Sequence, residues 1–218
     1  MPRRLITLGA SIFLASCSVV GIREAEEPRY QLLQQIGPLE IRQYAPRIAA
    51  HTNVSGNEMN ARSAGFRRIA DYIFGDNHAR ASIAMTAPVA QKSQTVAMTA
   101  PVAQARSDTG AWVIRFFMPA QYTMETLPAP NDPAVELVKI PAETYAVLRF
   151  SGSTAPAAVA AKQSALLDLL RNSIWHPIGS VVTWFYDPPW TLPPFRRTEV
   201  AVQVSQADHQ HPRPPPLP

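Results

Sequence analysis

The sequence predicts an α+β fold made of two similar halves, and three observations support this prediction. Short runs in which apolar and polar residues alternate are typical of half-buried strands. Two longer segments carry apolar residues at helical spacing. The segments follow the order strands, helix, strands, and then the same order again, which favours two related α+β units. With 218 residues, the chain is long enough for one domain with a substantial core.

The composition and the motif content disfavour several classes of function. The net charge of +4 falls to +2 when Arg3 and Arg4 are left out, and no run of Lys or Arg exceeds two residues. Nucleic acid is therefore not an expected partner. The sequence has no Gly-x-Ser-x-Gly elbow, no His-rich zinc spacing and no glycine-rich phosphate loop. No metal site is expected, and a binding protein is favoured over an enzyme.

Residues 1–16 have the features of a secretion signal peptide. Arg3 and Arg4 supply the positive start, and residues 5–14 form an apolar stretch that is too short to span a bilayer comfortably. Residues 14–17 then resemble a bacterial lipobox, which predicts that the single cysteine, Cys17, is lipidated and becomes the new N-terminus. The alternatives are an ordinary signal peptide or an uncleaved anchor.

A lipidated Cys17 would hold the protein on a membrane, outside the cytoplasm and facing the periplasm. Each buried CH₂ adds about 0.8 kcal/mol, so several acyl chains anchor a protein much better than one. Ser18 follows the cysteine, which by resemblance to enterobacterial lipoproteins favours the outer over the inner membrane. We expect a spacer at residues 17–27, a folded domain at 28–204 and a disordered, proline-rich tail at 205–218.

The first half is predicted to contain three strands and a helix. Gly37 and Pro38 separate two alternating runs, which indicates a hairpin. The strands are expected at residues 30–35, 39–44 and 47–54.

The helix of the first half is expected to start within residues 55–58 and to run to about Phe74. Ser55 and Glu58 have capping-box spacing, and Gly75 is a suitable C-terminal cap. Gly65 costs about 1 kcal/mol relative to Ala in a helix interior, and either close approach by a neighbour or a ligand, or simple tolerance of the glycine, would explain it. The apolar face of the helix is expected to contain Met59, Phe66, Ile69, Ala70 and Ile73.

The same eight residues occur at positions 84–91 and 97–104. Two copies are too few for a solenoid, so we expect two matched extended segments. The proline of each copy has no N–H, which places it at a sheet edge or a bend. Met85 and Met98 are expected either to fill the core or to line an apolar ligand site, because Met adapts to irregular partners.

The second half is predicted to repeat the pattern of the first. A helix is expected to begin near Thr154 as its N-cap, with Pro156 in the first turn. Its apolar stripe contains Val159, Leu166, Leu167, Leu170 and Ile174. The strands are expected at residues 112–118, 135–140, 144–150, 181–186 and 199–204, with 135–140 paired to 144–150.

Several sequence blocks resemble the SOUL family of haem-binding proteins. The doubled AMTAPV segment is the most distinctive of them, and further blocks match in order between Glu27 and Val204. These blocks include residues 28–30, 39–44, 72–77, 126–133, 149–152 and 196–200. The resemblance implies a twisted, barrel-like antiparallel sheet flanked by two helices, and the binding of haem or a related tetrapyrrole.

A tetrapyrrole site needs a large apolar surface and donors for two propionates. The first helix supplies apolar side chains with arginines at their rim. The resemblance implies a shallow pocket beside this helix, with the paired arginines near the C-terminus contributing; each arginine could instead form a structural ion pair. The candidate binding residues are Met59, Arg62, Ser63, Phe66, Arg67, Ala70, Met85, Met98, Arg196 and Arg197.

The axial position departs from the pattern of some family members. Gln43 stands where these members carry a His, and Gln is not a plausible ligand of haem iron. His78, which follows the first helix directly, is the candidate axial ligand. His51 and His176 are expected to have surface or structural roles. We therefore expect binding without a strong axial ligand.

The combined expectation is a lipid-anchored, extracytoplasmic protein that binds haem or a related tetrapyrrole in a shallow apolar groove. One alternative is an enzyme or scavenger for another hydrophobic small molecule, because the two-half architecture resembles bacterial effector-binding domains. A second alternative is a structural envelope lipoprotein, to which only the proline-rich tail points.

Overall fold

The computed structural model describes residues 25–78, 96, 99–107, 110–188 and 190–206. The predicted signal peptide, Cys17, Met85, Met98 and the chain after residue 206 lie outside these residues. Among the described residues, the fold is α+β, with one large antiparallel sheet and two helices. This architecture confirms the predicted class.

The elements in chain order are β1 (Tyr30–Ile36), β2 (Leu39–Tyr44), β3 (Arg47–Val54), α1 (Glu58–Phe74), β4 (Asn77–His78), β5 (Val102–Arg106), β6 (Trp112–Phe117), β7 (Ala129–Pro130), β8 (Glu136–Ile140), β9 (Glu143–Phe150), α2 (Pro156–Leu170), β10 (Trp175–Pro177), β11 (Val182–Phe185), a short 3₁₀ helix (Pro193–Phe195) and β12 (Thr198–Gln206).

The large sheet curls toward a barrel without closing. Its strand order is β1-β2-β9-β12-β11-β5-β6-β3-β8, with β10 added beside β12, and β4 pairs separately with β7. In a flat sheet β2 and β3 would be about 29 Å apart, as would β8 and β9. Each of these pairs is joined by only two residues, which span about 11 Å at most, so the sheet must bend.

An ion pair spans the gap that this bend leaves. The Nη2 atom of Arg47 on β3 lies 2.9 Å from Oε2 of Glu143 on β9, although these two strands are not neighbours in the sheet. The pair therefore links two strands that lie on opposite sides of this gap.

The two faces of the curled sheet are covered differently. Helix α1 packs on β3 and β6, and α2 packs on β9, β10 and β12. The opposite face, which we call the concave face, lines the inside of the curl, where side chains from different strands pack against one another. Ala49 and Ala50 are both buried for this reason, because one faces inward and the other faces α1. The concave face carries Tyr44, Ala49, Phe117, Tyr145, Val147, Trp184, Tyr186 and Ala201.

The ends of α1 are only partly as predicted. Its C-terminal end at Phe74 and its cap at Gly75, which has φ 125°, confirm the prediction. The N-cap is Asn57 rather than a capping box from Ser55, because the side chain of Asn57 accepts a hydrogen bond of 2.9 Å from the backbone N–H of Asn60. The predicted apolar face also divides, since Met59 and Phe66 are exposed.

The second half differs from the prediction in strand pairing. β8 pairs with β3, and β9 pairs with β2 and β12, so the predicted pairing between β8 and β9 is wrong. The two-residue link between them crosses the gap of the curled sheet instead of forming a hairpin. The second repeat copy supplies the start of β5, which lies inside the sheet between β11 and β6. Ala100 forms a bend before this strand.

The ends of α2 and of β12 also differ from the prediction. Helix α2 begins at Pro156 after Ala155, so the predicted N-cap at Thr154 is wrong. The hydroxyl of Ser153 accepts a hydrogen bond from the backbone N–H of Ala155 at 3.2 Å, which caps the preceding turn. Strand β12 runs to Gln206, two residues into the region expected to be a tail.

Gly65 allows α1 to lie directly on β6. A Cβ atom built at Gly65 would lie 2.4 Å from Cγ1 and 2.7 Å from Cβ of Ile114. We predict that Gly65→Ala lowers the free energy of unfolding by about 1–3 kcal/mol, because overpacking outweighs the better helix propensity of Ala. Thermal or urea unfolding followed by circular dichroism measures this change.

Ser63→Ala is the matched control for this substitution, since Ser63 is exposed on the same helix. We expect it to change stability by less than about 0.5 kcal/mol. A Gly65→Ala variant as stable as the parent protein would contradict the proposed close contact.

Candidate functional site

The outer surface of α1 exposes apolar side chains that the helix would be expected to bury. Met59 is 54% exposed and Phe66 is 38% exposed. Ser63 and Arg67 are also exposed. The ring of Phe66 lies 5.3 Å from the buried ring of Phe116, so its position is fixed by the core while one side faces solvent. The surface therefore offers a partly rigid apolar contact.

Two arginines flank this surface. The guanidinium of Arg62 lies 4.4 Å from the ring centroid of Phe185 on β11. Burial lowers the pKa of Arg62, Glu58 opposes this change, and the positive charge of Arg196 adds to it. Arg196 is near enough for its charge to act on Arg62, and its Nε atom donates a hydrogen bond of 2.7 Å to the carbonyl of Thr191. We call Met59, Arg62, Ser63, Phe66 and Arg196 the α1 surface.

The loop before β12 adds further exposed apolar side chains. Trp190, Leu192 and Phe195 are all exposed. Because Arg196 directly follows Phe195 and lies near Arg62, this loop runs beside the N-terminal half of α1. The α1 surface is thus shallow and open, with positive charge where the helix and the loop meet.

The remaining predicted residues are not brought to this surface. Ala70 is buried under α1. Arg197 points to the concave face, where it binds Glu27 and Glu199. His78 lies past the C-terminal end of α1, and its Nδ1 atom is 2.7 Å from Oδ1 of Asn131. Their predicted contacts with a ligand remain predictions, as do those of Met85 and Met98.

A buried ionic cluster on the concave face was not predicted from the sequence. The carboxylate of Glu199 is fully buried, and Arg42 binds both of its oxygens, at 2.8 and 3.2 Å. Arg197 donates to Oε1 of Glu199 at 3.0 Å, and the hydroxyl of Tyr186 donates to Oε2 at 2.8 Å. Arg197 also contacts Glu27 at 3.0 Å. The alternation of polar residues at 40, 42 and 44 of β2 is the one sequence signal that indicates a polar interior.

Within the cluster, the positive charges of the arginines compensate the buried carboxylate of Glu199. Burial alone would raise the pKa of Glu199, but the hydrogen bond and charge of Arg42, with Arg197 and Tyr186, hold it below its ordinary value of 4.5. Burial raises the pKa of Tyr44, which lies beside Arg42, to about 12. Glu199 therefore stays ionised and Tyr44 stays neutral at neutral pH, and the carboxylate has no free capacity for an added cation.

We predict that Glu199→Gln lowers the free energy of unfolding by about 3–5 kcal/mol at pH 7, because it leaves buried guanidinium groups without their counter-charge. The pKa of Glu199 is lower in the folded than in the unfolded state. Its stabilisation is therefore complete above the ordinary value of 4.5 and is lost as the pH falls through the folded-state pKa. Urea unfolding at several pH values between neutral and acidic measures both effects.

The acid-dependent loss of stability should be smaller in Glu199→Gln than in the parent protein. Glu136→Gln is a suitable control, because Glu136 is an exposed carboxylate on β8. Equal stability of the parent protein and Glu199→Gln at pH 7 would contradict the structural role of the cluster.

Comparison with solved structures supports the observed architecture. The C-terminal domain of EcmrR aligns with a TM-score of 0.56 and 11% sequence identity, over 81% of this chain and 98% of that domain. An uncharacterized conserved protein from Listeria innocua aligns with a TM-score of 0.51 and 12% identity, over 77% of this chain and 92% of that one. A hydrolase from Listeria innocua aligns with a TM-score of 0.50 and 14% identity, over 79% of this chain and 94% of that one. At these identities the likeness concerns the fold alone.

The comparisons of sequence give the family. No curated protein matched the chain. The model of the SOUL heme-binding protein family matches residues 25–203, which is most of the chain and nearly all of the described fold. The chain therefore belongs to the SOUL haem-binding protein family.

Proposed function

We propose that this protein is an exported, lipid-anchored protein that binds haem or a related tetrapyrrole on the α1 surface, without a strong axial ligand. The observation that carries the proposal is the exposure of Met59 and Phe66 beside two neighbouring arginines, in a chain of the SOUL family. A flat, apolar ligand with two carboxylates matches this combination of groups.

The two arginines of the α1 surface favour an anionic ligand. Arg62 and Arg196 are like charges in proximity, and burial already lowers the pKa of Arg62. A propionate placed near both guanidinium groups would offset their repulsion and accept charge-assisted hydrogen bonds. The porphyrin face would then lie against Met59 and Phe66, and their contact area would supply most of the affinity.

Iron coordination is not needed for this mode of binding. His78 lies beyond the end of α1, whereas Arg62 is in the second turn, which places about 18 Å of helix between Arg62 and that end. Haem and metal-free porphyrin are therefore expected to bind similarly.

The membrane attachment belongs to the same proposal. Within the part of the chain that the structure describes, no helix is long and apolar enough to span a bilayer. The support for attachment is the sequence of residues 1–17, in which a positive start, a short apolar stretch and small residues precede Cys17. A lipid at Cys17 would anchor the domain through a short spacer.

We predict that Phe66→Ser weakens the binding of hemin and of protoporphyrin IX roughly tenfold, because about 1.5 kcal/mol of apolar contact is lost. Absorbance and tryptophan quenching of the full chain, purified in mild detergent with a detergent blank, measure the affinity. Arg62→Gln and Arg196→Gln should weaken the binding of protoporphyrin IX. They should not weaken the binding of its dimethyl ester, which lacks the free carboxylates.

Leu167→Ser is the matched control, because Leu167 is 37% exposed on α2, nearly the same as Phe66. It should leave both affinities unchanged. If Phe66→Ser and Leu167→Ser bind the porphyrins with equal affinity, the α1 surface is not the site. Absence of saturable binding of either porphyrin would overturn the proposed ligand class.

We predict that Cys17→Ala moves the protein from the membrane fraction to the soluble fraction and abolishes incorporation of labelled palmitate in a bacterial host. The sulfur atom of Cys17 would carry the lipid. Fractionation and mass spectrometry of the N-terminus measure the change. Ser18→Ala, which keeps the thiol, is the control, and a Cys17→Ala variant that still incorporates palmitate would contradict the anchor.

A further inference from the structure

The concave face contains buried N–H donors without partners. Among the described residues, Nε and Nη1 of Arg47 and Nε of Arg115 are buried and have no hydrogen-bond partner. The side chain of Arg47 is only 10% exposed. An unsatisfied buried donor costs about 1–3 kcal/mol, and a charged one costs more. An acceptor supplied by a ligand would satisfy these groups.

The charge around these donors is positive. Arg47 donates one hydrogen bond to Glu143, at 2.9 Å, and its guanidinium lies 4.3 Å from the ring of Tyr44 and 4.5 Å from the ring of Phe117. Burial is the main reason that the pKa of Arg47 is lowered, and the charge of Arg115 adds to the effect. Arg47 is thus paired with Glu143, and the guanidinium of Arg115 adds a further positive charge.

The other titratable groups nearby do not remove this surplus. His51 lies opposite Arg115 on the neighbouring strand, and burial and the charge of Arg115 lower its pKa. Glu136, 3.4 Å from His51, is largely exposed to solvent. Burial raises the pKa of Tyr145 to about 12, so this phenol is neutral at neutral pH.

Aromatic walls surround the space beside the arginines. One cavity of about 80 Å³, partly open to solvent, is lined by Arg115, Tyr145, Phe117 and Trp184. A second space of only about 10 Å³ lies beside Arg47 and Glu27, and Glu27 is paired with Arg197 at 3.0 Å. The rings of Tyr145 and Trp184 lie 5.2 Å apart, close to edge-to-face. The first cavity suits a ligand with one or two rings better than a four-ring macrocycle.

We propose that the concave face is a second binding site, which takes a small aromatic molecule carrying a carboxylate or a similar anionic group. The anion is bound by Arg115, the positive charge of Arg47 adds to its attraction, and the ring lies against Trp184 and Tyr145. Cationic aromatic molecules are disfavoured, because the carboxylates of this face are already paired: Glu199 with Arg42 and Arg197, and Glu143 with Arg47.

The test compares two fluorescent probes with the same ring system. Naphthalene-2-sulfonate carries an anionic group, and 2-methylnaphthalene lacks it. The full chain is titrated with each probe in mild detergent, with a detergent blank. We expect saturable binding of the sulfonate. Arg115→Gln should weaken this binding about tenfold, and it should change the affinity for the neutral probe less than twofold. Arg115→Lys should restore part of the loss.

Two further variants show whether the sulfonate binds at the concave face or elsewhere on the protein. Arg106→Gln removes an exposed arginine from β5, beside Trp112 rather than the cavities, and should leave the sulfonate affinity unchanged. Phe66→Ser should also leave it unchanged, which distinguishes this site from the α1 surface. Thermal unfolding confirms that each variant is folded.

Three results would overturn the second site. One is the absence of saturable sulfonate binding, and another is an equal loss for both probes in Arg115→Gln, which would indicate a packing change. The third is a loss of sulfonate binding in Phe66→Ser and not in Arg115→Gln. Porphyrin binding is measured separately, so either site can fail while the other stands.

Discussion

The fully buried carboxylate of Glu199 is the interaction on which the interior of the fold depends. It accepts hydrogen bonds from Arg42, Arg197 and Tyr186, and so connects β2, β12 and the segment between β11 and β12. Arg42 reaches across β9 to do so, a distance of about 10 Å between strand axes. Burying such ions costs several kcal/mol each, which is offset only when every partner is in place. The strand order in this region and the position of Glu27, which binds Arg197, are therefore coupled.

The curled sheet separates two surfaces of different chemistry. The α1 surface is shallow, exposes Met59 and Phe66, and places two positive groups where helix and loop meet. The concave face is enclosed, aromatic and charged, and its acidic group is neutralised internally. A broad, flat ligand fits the first surface, and a small one fits the second. The short links between β2 and β3 and between β8 and β9 create this division, because they force the sheet to bend.

Close packing of α1 determines how Phe66 is presented. Gly65 lets the helix backbone approach Ile114 on β6, and the next residue, Phe66, then rests against Phe116 with one side in solvent. A helix held further from the sheet would leave the ring without that support. The exposed part of the ring is thus held in place by the core rather than by its immediate neighbours on the helix.

Much of the fold and part of the α1 surface could be predicted from the sequence. Alternation located β3, helical spacing located α1, and Gly75 marked the end of α1, since each of these signals is local. The N-caps at Asn57 and Ala155 were missed, because several nearby residues could cap and only the path of the entering chain selects one. Arg196 and Arg197 are adjacent in sequence, yet they point to opposite faces of a strand end, so only Arg196 lies near α1.

The sequence by itself determined the element types, the two-half α+β organisation and the family, because propensity, period and motif spacing are properties of short segments. Only the tertiary structure decided that β8 pairs with β3, that Arg42 and Glu199 meet, and that Arg47 and Arg115 share an interior with Trp184. Arg42 and Glu199 are separated by 157 positions along the chain. No local pattern specifies such a contact, since it forms only when the sheet has curled and the burial of each charge requires the other.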